Sequence, residues 1–115
     1  MADCLFCKIV AGDIPAKIVK RSPDALAFRD IEPRAPVHVL VIPTRHIPAA
    51  RDAKGEDGER LLGKLLAFAA ELAREEGIDS DGYRIVTNTG RNAGQSVDHL
   101  HFHLLGGRKL SWPPG

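Results

Sequence analysis

Histidine occupies every second position from residue 99 to residue 103, with a leucine and a phenylalanine between. Alternate side chains of a β-strand share a face, so this spacing predicts a strand over residues 97–105. Successive imidazoles on that strand would be about 7 Å apart. One face would carry His99, His101 and His103, and the other would bury Leu100, Phe102 and Leu104 in a core.

Three interpretations of these histidines remain open from the residues alone: a metal site, a set of structural histidines, or an acid–base or nucleophilic centre. The preceding residues 88–96 are rich in Gly, Asn and Ser. Such a loop can offer backbone N–H groups, amides and a hydroxyl to an anion, although runs of this kind are usually turns. A phosphate beside a neutral imidazole fits this combination better than a metal alone.

The other apolar patterns predict an α+β chain with five or six strands, one short helix and one long helix. Leu5, Phe6 and Ile9 indicate the short helix, which ends at Gly12. A continuous apolar run that contains His38 indicates a buried central strand. The predicted strands cover residues 16–21, 25–29, 37–42, 83–88 and 97–105, and a polar loop at 49–58 leads into the long helix at 59–77.

The long helix is apolar over a wide arc. Core packing explains most of such a stripe, but large residues such as Leu65, Phe68 and Leu72 exceed what one sheet face needs, which predicts a second partner for this helix. The full stripe is Leu61, Leu62, Leu65, Leu66, Phe68, Ala69 and Leu72.

Cys4 and Cys7 are one helical turn apart in the short helix. A redox pair would normally follow a strand, and no strand fits before residue 4. Two idle reduced thiols, or half of a zinc site, remain as interpretations. A structural zinc takes four ligands, and His46 and His99 are candidates for the other two.

Length and composition are those of one globular domain over residues 1–115, with 43% hydrophobic and 27% charged residues. The net charge of +1 predicts no nucleic-acid or membrane partner. No apolar run approaches the roughly 20 residues of a membrane span, and no signal-peptide pattern opens the chain. A cytoplasmic protein is therefore expected.

The motif His99-Leu100-His101-Phe102-His103-Leu104-Leu105 resembles the histidine triad (HIT) pattern, in which histidines alternate with apolar residues. The resemblance extends over nearly the whole chain and is to the Hint branch, the purine nucleoside phosphoramidases. It is carried by Phe28-Arg29-Asp30-Ile31, His38-Val39-Leu40-Val41-Ile42-Pro43, Gly94-Gln95-Ser96 and Trp112-Pro113-Pro114-Gly115.

This resemblance implies a histidine triad fold with a mostly antiparallel sheet. It also implies an enzyme that hydrolyses purine nucleoside phosphoramidates of the adenosine 5'-phosphoramidate type, releasing AMP and an amine, without a cofactor for catalysis. His101 would attack phosphorus to form a nucleotidyl-histidine intermediate, His103 would contact the phosphate, His99 would orient the array and His38 would support it. The implied nucleotide site comprises Phe6, Phe28, Asp30, Ile31, Asn88, Gly94, Gln95, Ser96, His101, His103 and Trp112.

The same resemblance implies a structural zinc on Cys4, Cys7, His46 and His99, and a homodimer formed through the long helix, with Trp112 reaching the partner's site. Two alternatives stay open: a nucleotide-binding interaction module with little turnover, and a dinucleoside polyphosphate hydrolase. The Trp-Pro-Pro-Gly ending argues against the second.

Overall fold

A five-stranded antiparallel sheet with one helix on each face forms the protein. In the computed structural model, which describes residues 3–115, the strand order is β1-β2-β3-β5-β4, and every neighbouring pair is antiparallel. The predicted α+β fold is thus confirmed, with five strands. Its elements are α1 (Leu5–Ala11), β1 (Ile18–Arg21), β2 (Ala25–Arg29), β3 (Val37–Pro43), α2 (Gly55–Glu75), β4 (Tyr83–Thr87) and β5 (Phe102–Gly106).

The two faces of the sheet have separate cores. Helix α2 covers one face, where Leu65 and Leu72 pack with Val39, Val41 and Leu104. On the other face, Phe6 and Ile9 of α1 pack with Leu26, Phe28, Leu40 and Ile42. Directly paired residues share a face, so the pairing of Leu40 with His103 and of His38 with Leu105 puts both histidines on the α1 side.

Both ends of α1 are capped. The Cys4 sulfur accepts a hydrogen bond from the Cys7 backbone N–H at 3.3 Å, which satisfies one of the free donors of the first turn. Gly12 ends the helix in the left-handed conformation, with φ 83°, as glycine does without the cost of a Cβ. The short helix that ends at Gly12 is therefore confirmed.

Several predicted boundaries were wrong. Strand β5 begins only at Phe102, because its neighbour β4 ends opposite that residue and its pairing with β3 also begins there, at Val41. The Leu100 N–H donates instead to the Ile47 carbonyl at 2.6 Å. Strand β1 begins at Ile18, β4 ends at Thr87 and β3 includes Pro43. The region expected to be a loop at 49–58 contains a 3₁₀ turn, Ala50–Asp52, and the first turn of α2.

The apolar stripe of α2 packs mainly within its own chain. Leu65 and Leu72 are at most 1% exposed and Phe68 is 9% exposed, all in the core cluster beneath the sheet. The prediction that these three residues exceed what the sheet needs was wrong, because the sheet face accommodates them. Leu66, at 44% exposure, is the large apolar residue that α2 leaves open to solvent among the described residues.

No helix in residues 3–115 combines the length and apolar content needed to cross a membrane.

Candidate functional site

His101 is held in one tautomer by the backbone. Its Nδ1 lies 2.7 Å from the His99 carbonyl oxygen, which can only accept, so Nδ1–H donates. A neutral ring then has its lone pair on Nε2, and this nitrogen makes no hydrogen bond within residues 3–115. The side chain is 4% exposed and lies edge-on to the Phe6 ring, with centroids 5.2 Å apart. His101 is therefore held in a fixed orientation, and the lone pair of its neutral ring is on the nitrogen that the backbone leaves free.

His103 is held by a relay of hydrogen bonds. The Arg34 N–H donates to Nδ1 of His38 at 3.0 Å, which leaves the proton of neutral His38 on Nε2. That Nε2–H lies 2.9 Å from Nδ1 of His103 and 3.4 Å from a carboxylate oxygen of Asp30. The proton of His103 is then on Nε2, so a neutral N–H donor is available near His101, whose ring centroid is 5.1 Å away.

Both members of this pair are held neutral. Burial, followed by the charges that His101 and His38 would carry, lowers the pKa of His103 to about 4. Burial also lowers the pKa of His38, with partial opposition from Asp30. At neutral pH this side of the site thus offers hydrogen-bond donors rather than fixed positive charge.

A cleft of about 700 Å³ opens beside His38, and His101 and His103 are not among the residues that line it. Phe28, Asp30, Ile31 and His38 line it, so the structure brings together four of the predicted residues. Ile31 is 95% exposed and forms a free apolar wall, while Asp30 offers a carboxylate that accepts only one backbone N–H, from Glu32. The cleft also has walls that the sequence reasoning missed: Ile9, Pro15, Ala16, Lys17, Arg29, Pro33 and Pro36.

Phe6 is not among the residues that line this cleft. It is 5% exposed, and its ring packs edge-on against Phe28 with centroids 5.4 Å apart. Phe6 therefore supports Phe28 and His101 from within the core. Arg34 also escaped the sequence reasoning, because its contribution is a backbone N–H and carries no side-chain signal.

The Gly/Asn loop uses much of its polarity to hold itself. The Gln95 side chain accepts from the Gly90 N–H and donates to the carbonyls of Pro48 and Val97. The Gln95 N–H donates to the Gly90 carbonyl at 3.1 Å. The Gln95 side chain and backbone N–H are thus engaged by the loop itself and by Pro48, which makes Gln95 a brace for the shape of the loop.

The other predicted loop and tail residues are more exposed to solvent. Gly94 is exposed and left-handed, with φ 80°, and Asn88 is half-buried after β4. Exposed Ser96 lines a second pocket with Cys4 and His46. Trp112 is 79% exposed and lies over Arg84, outside the cleft lining.

Cys4, Cys7, His46 and His99 converge on one point, with all four donor atoms within 4.8 Å of one another. Nδ1 of His99 lies 3.3 Å from the Cys4 sulfur and 3.6 Å from that of Cys7. Nδ1 of His46 lies 3.3 Å from the Cys7 sulfur. Around a tetrahedral zinc, sulfur and nitrogen donors would be about 3.5 Å apart, so the cluster fits such an ion.

The tautomer of His99 suits this role. Its Nε2–H donates to the Pro43 carbonyl at 3.0 Å, so the lone pair of the neutral ring is on Nδ1, towards both sulfurs. Metal-bound histidines commonly donate their second N–H to a carbonyl in this way. Burial and then the Cys4 side chain raise the pKa of the Cys7 thiol, so a bound cation would have to displace its proton.

The family model for the HIT domain matches residues 11–110. The chain belongs to the HIT domain family. It is 47% identical over 108 residues to the purine nucleoside phosphoramidase of Escherichia coli (strain K12), covering 94% of this chain and 90% of that protein. An uncharacterized HIT-like protein of Synechococcus elongatus is 51% identical over 113 residues, covering 98% and 97% of the two chains.

Solved structures of HIT proteins have the same fold as this chain. A HIT family hydrolase from Legionella pneumophila Philadelphia 1 superposes with a TM-score of 0.94 at 50% identity, over 98% of this chain and 100% of the other. A histidine triad protein from Clostridium difficile gives 0.92 at 38% identity, over 96% of each chain. The resemblance drawn from the sequence motifs is thereby confirmed.

Proposed function

We propose that this HIT protein hydrolyses purine nucleoside phosphoramidates to a nucleoside monophosphate and an amine. One observation carries the proposal. His101 donates Nδ1–H to the His99 carbonyl at 2.7 Å and so keeps Nε2 free as a nucleophile, beside a neutral His103. The name of the Escherichia coli relative, at 47% identity, supports this substrate class.

The nucleoside would occupy the cleft. Phe28 and Ile31 offer apolar walls for the purine base, and the Asp30 carboxylate is a strong acceptor for the ribose hydroxyls. His103 would donate its Nε2–H to a non-bridging phosphate oxygen. Asn88, Gly94 and Ser96 would border the phosphate and the leaving group, with Gln95 holding the loop.

The chemistry would proceed in two displacements. Nε2 of His101 attacks phosphorus, a new P–N bond forms, and the P–N bond to the amine breaks as the amine takes a proton from solvent, directly or through the Ser96 hydroxyl. Water then attacks phosphorus, the bond to His101 breaks, and the nucleotide leaves with regeneration of the imidazole.

Quenching the reaction early with an adenosine phosphoramidate and analysing the protein by mass spectrometry tests this mechanism. An adenylate adduct on His101 is expected. His101→Asn is the matched control, because its amide can still donate to the His99 carbonyl while the nucleophilic nitrogen is gone. It should lower turnover by about 10³-fold or more. Near wild-type turnover in this variant would contradict covalent catalysis.

Steady-state assays separate the alternatives. Tight AMP binding without release of AMP from any phosphoramidate would favour an interaction module. Faster cleavage of a dinucleoside polyphosphate than of the phosphoramidate would favour the other hydrolase class.

We propose further that Cys4, Cys7, His46 and His99 hold one zinc ion per chain. The cysteine and histidine donor set and the 3.3–3.6 Å spacings support zinc. Thiols stay reduced in the cytoplasm, which is the proposed location. Protein purified without chelators should contain about one equivalent of zinc, and less than about a tenth of an equivalent would contradict the proposal.

A further inference from the structure

We propose that His99 is a positioning residue that couples the metal cluster to the nucleophile, so that ligation of the cluster sets the catalytic competence of His101. The proposal rests on the proposed function. It concerns the peptide between His99 and Leu100, which lies between the cluster of Cys4, Cys7, His46 and His99 and the reacting imidazole.

This peptide is held on both sides. Its carbonyl oxygen accepts from Nδ1–H of His101 at 2.7 Å, and its N–H, on Leu100, donates to the Ile47 carbonyl at 2.6 Å. Ile47 follows His46 directly in the chain. Both histidines of the cluster are thus adjacent to a group that fixes the orientation of this peptide.

The His99 side chain is equally constrained. It is 0% exposed, its Nε2–H donates to the Pro43 carbonyl, and its Nδ1 points to the sulfurs of Cys4 and Cys7. A cation bonded to Nδ1 would complete this restraint. With thiols alone, the ring has only weak sulfur hydrogen bonds on that side.

The cluster is open enough for its occupancy to change. Cys4, Cys7 and His46 are half-buried, and a pocket of about 490 Å³ adjoins Cys4 and His46. The Asp3 and Asp98 side chains line that pocket with Ser96, so carboxylates border the path to the donors. Metal availability can therefore act on the site from solvent.

Loss of the metal is expected to lower the rate of the chemical step. A misplacement of about 1 Å in a reacting group can cost about 10²-fold in rate, and loss of an orienting contact near a metal typically costs about 10–100-fold. The cleft residues Phe28, Asp30 and Ile31 belong to β2 and the loop after it, and none of them supplies a donor to the cluster. Nucleotide binding should change much less than turnover.

The test compares zinc-loaded and chelated wild type with a Cys4→Ala/Cys7→Ala variant. The readouts are kcat and KM for an adenosine phosphoramidate, the Kd of AMP by calorimetry, and the ¹⁵N–¹H signal of the His101 imidazole. Removing the metal should lower kcat about 10-fold or more, change the AMP Kd less than about 2-fold, and weaken the His101 Nδ1–H signal. Zinc should restore kcat and the His101 signal in wild type alone.

Val10→Ala is the control for loosening of α1, because Val10 is a partly buried residue of that helix that packs against the core on its side of the sheet, and all four donors remain. Zinc-loaded Val10→Ala should keep the wild-type kcat and His101 signal. An equal loss of kcat in this variant would overturn the proposal, as would an unchanged kcat or an unchanged His101 signal in chelated wild type. Absence of any phosphoramidate turnover would refute the proposed function, while the imidazole signal would still test the coupling.

Discussion

At the residue scale, His103 shows how neighbours decide what an imidazole can do. Nδ1 accepts from His38, which in turn accepts from the Arg34 N–H, so the proton of the neutral ring is directed outwards on Nε2. Burial lowers the pKa of His103 to about 4. The residue is thus a donor that carries no charge near neutral pH, which suits its proposed contact with a phosphate oxygen.

The same pKa predicts a pH-dependent stability. The folded-state pKa of about 4 lies below the ordinary value of 6.5, so the unfolded chain binds the proton more readily between these values. The free energy of unfolding should therefore fall as pH drops from about 6.5 to about 4, by up to about 1.4 kcal/mol per pH unit for this group. The lowered pKa of His38 acts in the same direction.

Denaturant titrations from pH 4 to 7 on metal-free protein measure this slope without acid release of a cation. His103→Asn is the control, because its amide oxygen can accept from His38 and does not titrate. The variant should show a distinctly shallower loss of stability in acid. Identical slopes for the two proteins would exclude His103 as a source of the pH dependence.

At the element scale, the start of α2 depends on a glycine. Gly58 is buried in the first turns of the helix, and a Cβ built there would lie 2.2 Å from the backbone carbon of Ala53. Gly58→Ala should lower the free energy of unfolding by about 2 kcal/mol despite the better helix propensity of alanine. Glu59→Ala, at the exposed neighbouring position, should change it by less than about 0.5 kcal/mol. A neutral Gly58→Ala in chemical denaturation would contradict this packing.

That contact also explains why the start of α2 was predicted wrongly from the sequence. The pattern predicted α2 from residue 59, whereas the helix begins at Gly55. Gly55 and Gly58 are poor helix formers, and Lys54 makes no side-chain cap. The acidic residues Glu56 and Asp57 of the first turn are therefore the one local signal near the true start, and the prediction did not use them. The start depends on the close fit of Gly58 against the backbone of Ala53 in the turn before the helix, a local contact that the apolar pattern does not show.

The sequence pattern of the triad segment likewise predicted some features of the structure and missed others. The apolar residue at every second position correctly predicted that Leu100, Phe102 and Leu104 are buried in a core, which is the core on the α2 side. The residues before Phe102, however, lie outside the strand. The sequence also suggested Cys4 and His99 as partners, because residue types and the family resemblance carry that information. It could not show that the His99 carbonyl fixes His101, since backbone groups have no residue-type signature.

At the scale of the whole molecule, Leu66 is the residue that best tests the predicted homodimer, because it is the exposed large apolar residue of α2. Leu66→Glu should yield a monomer in sedimentation at micromolar concentration, because a charge would be buried without a partner at the interface. Ile18→Glu is the matched control, since Ile18 on β1 is 45% exposed and Leu66 is 44% exposed. Wild type sedimenting as a monomer, or Leu66→Glu remaining a dimer, would contradict the predicted interface.

The tail, residues 111–115, allows the predicted dimer to be tested through activity. Arg84 donates to the Ser111 carbonyl at 2.8 Å, and Trp112 beyond it is 79% exposed, so the tail is attached at its base and open at its aromatic end. If Trp112 borders the partner's leaving-group pocket, deleting residues 111–115 should alter the ratio of kcat/KM among amine leaving groups more than the Kd of AMP. The same deletion in monomeric Leu66→Glu should leave that ratio unchanged, because the tail would have no partner site to reach. An equal shift in both backgrounds would mean that the tail acts within its own chain, and no shift in the dimer would exclude it from the pocket.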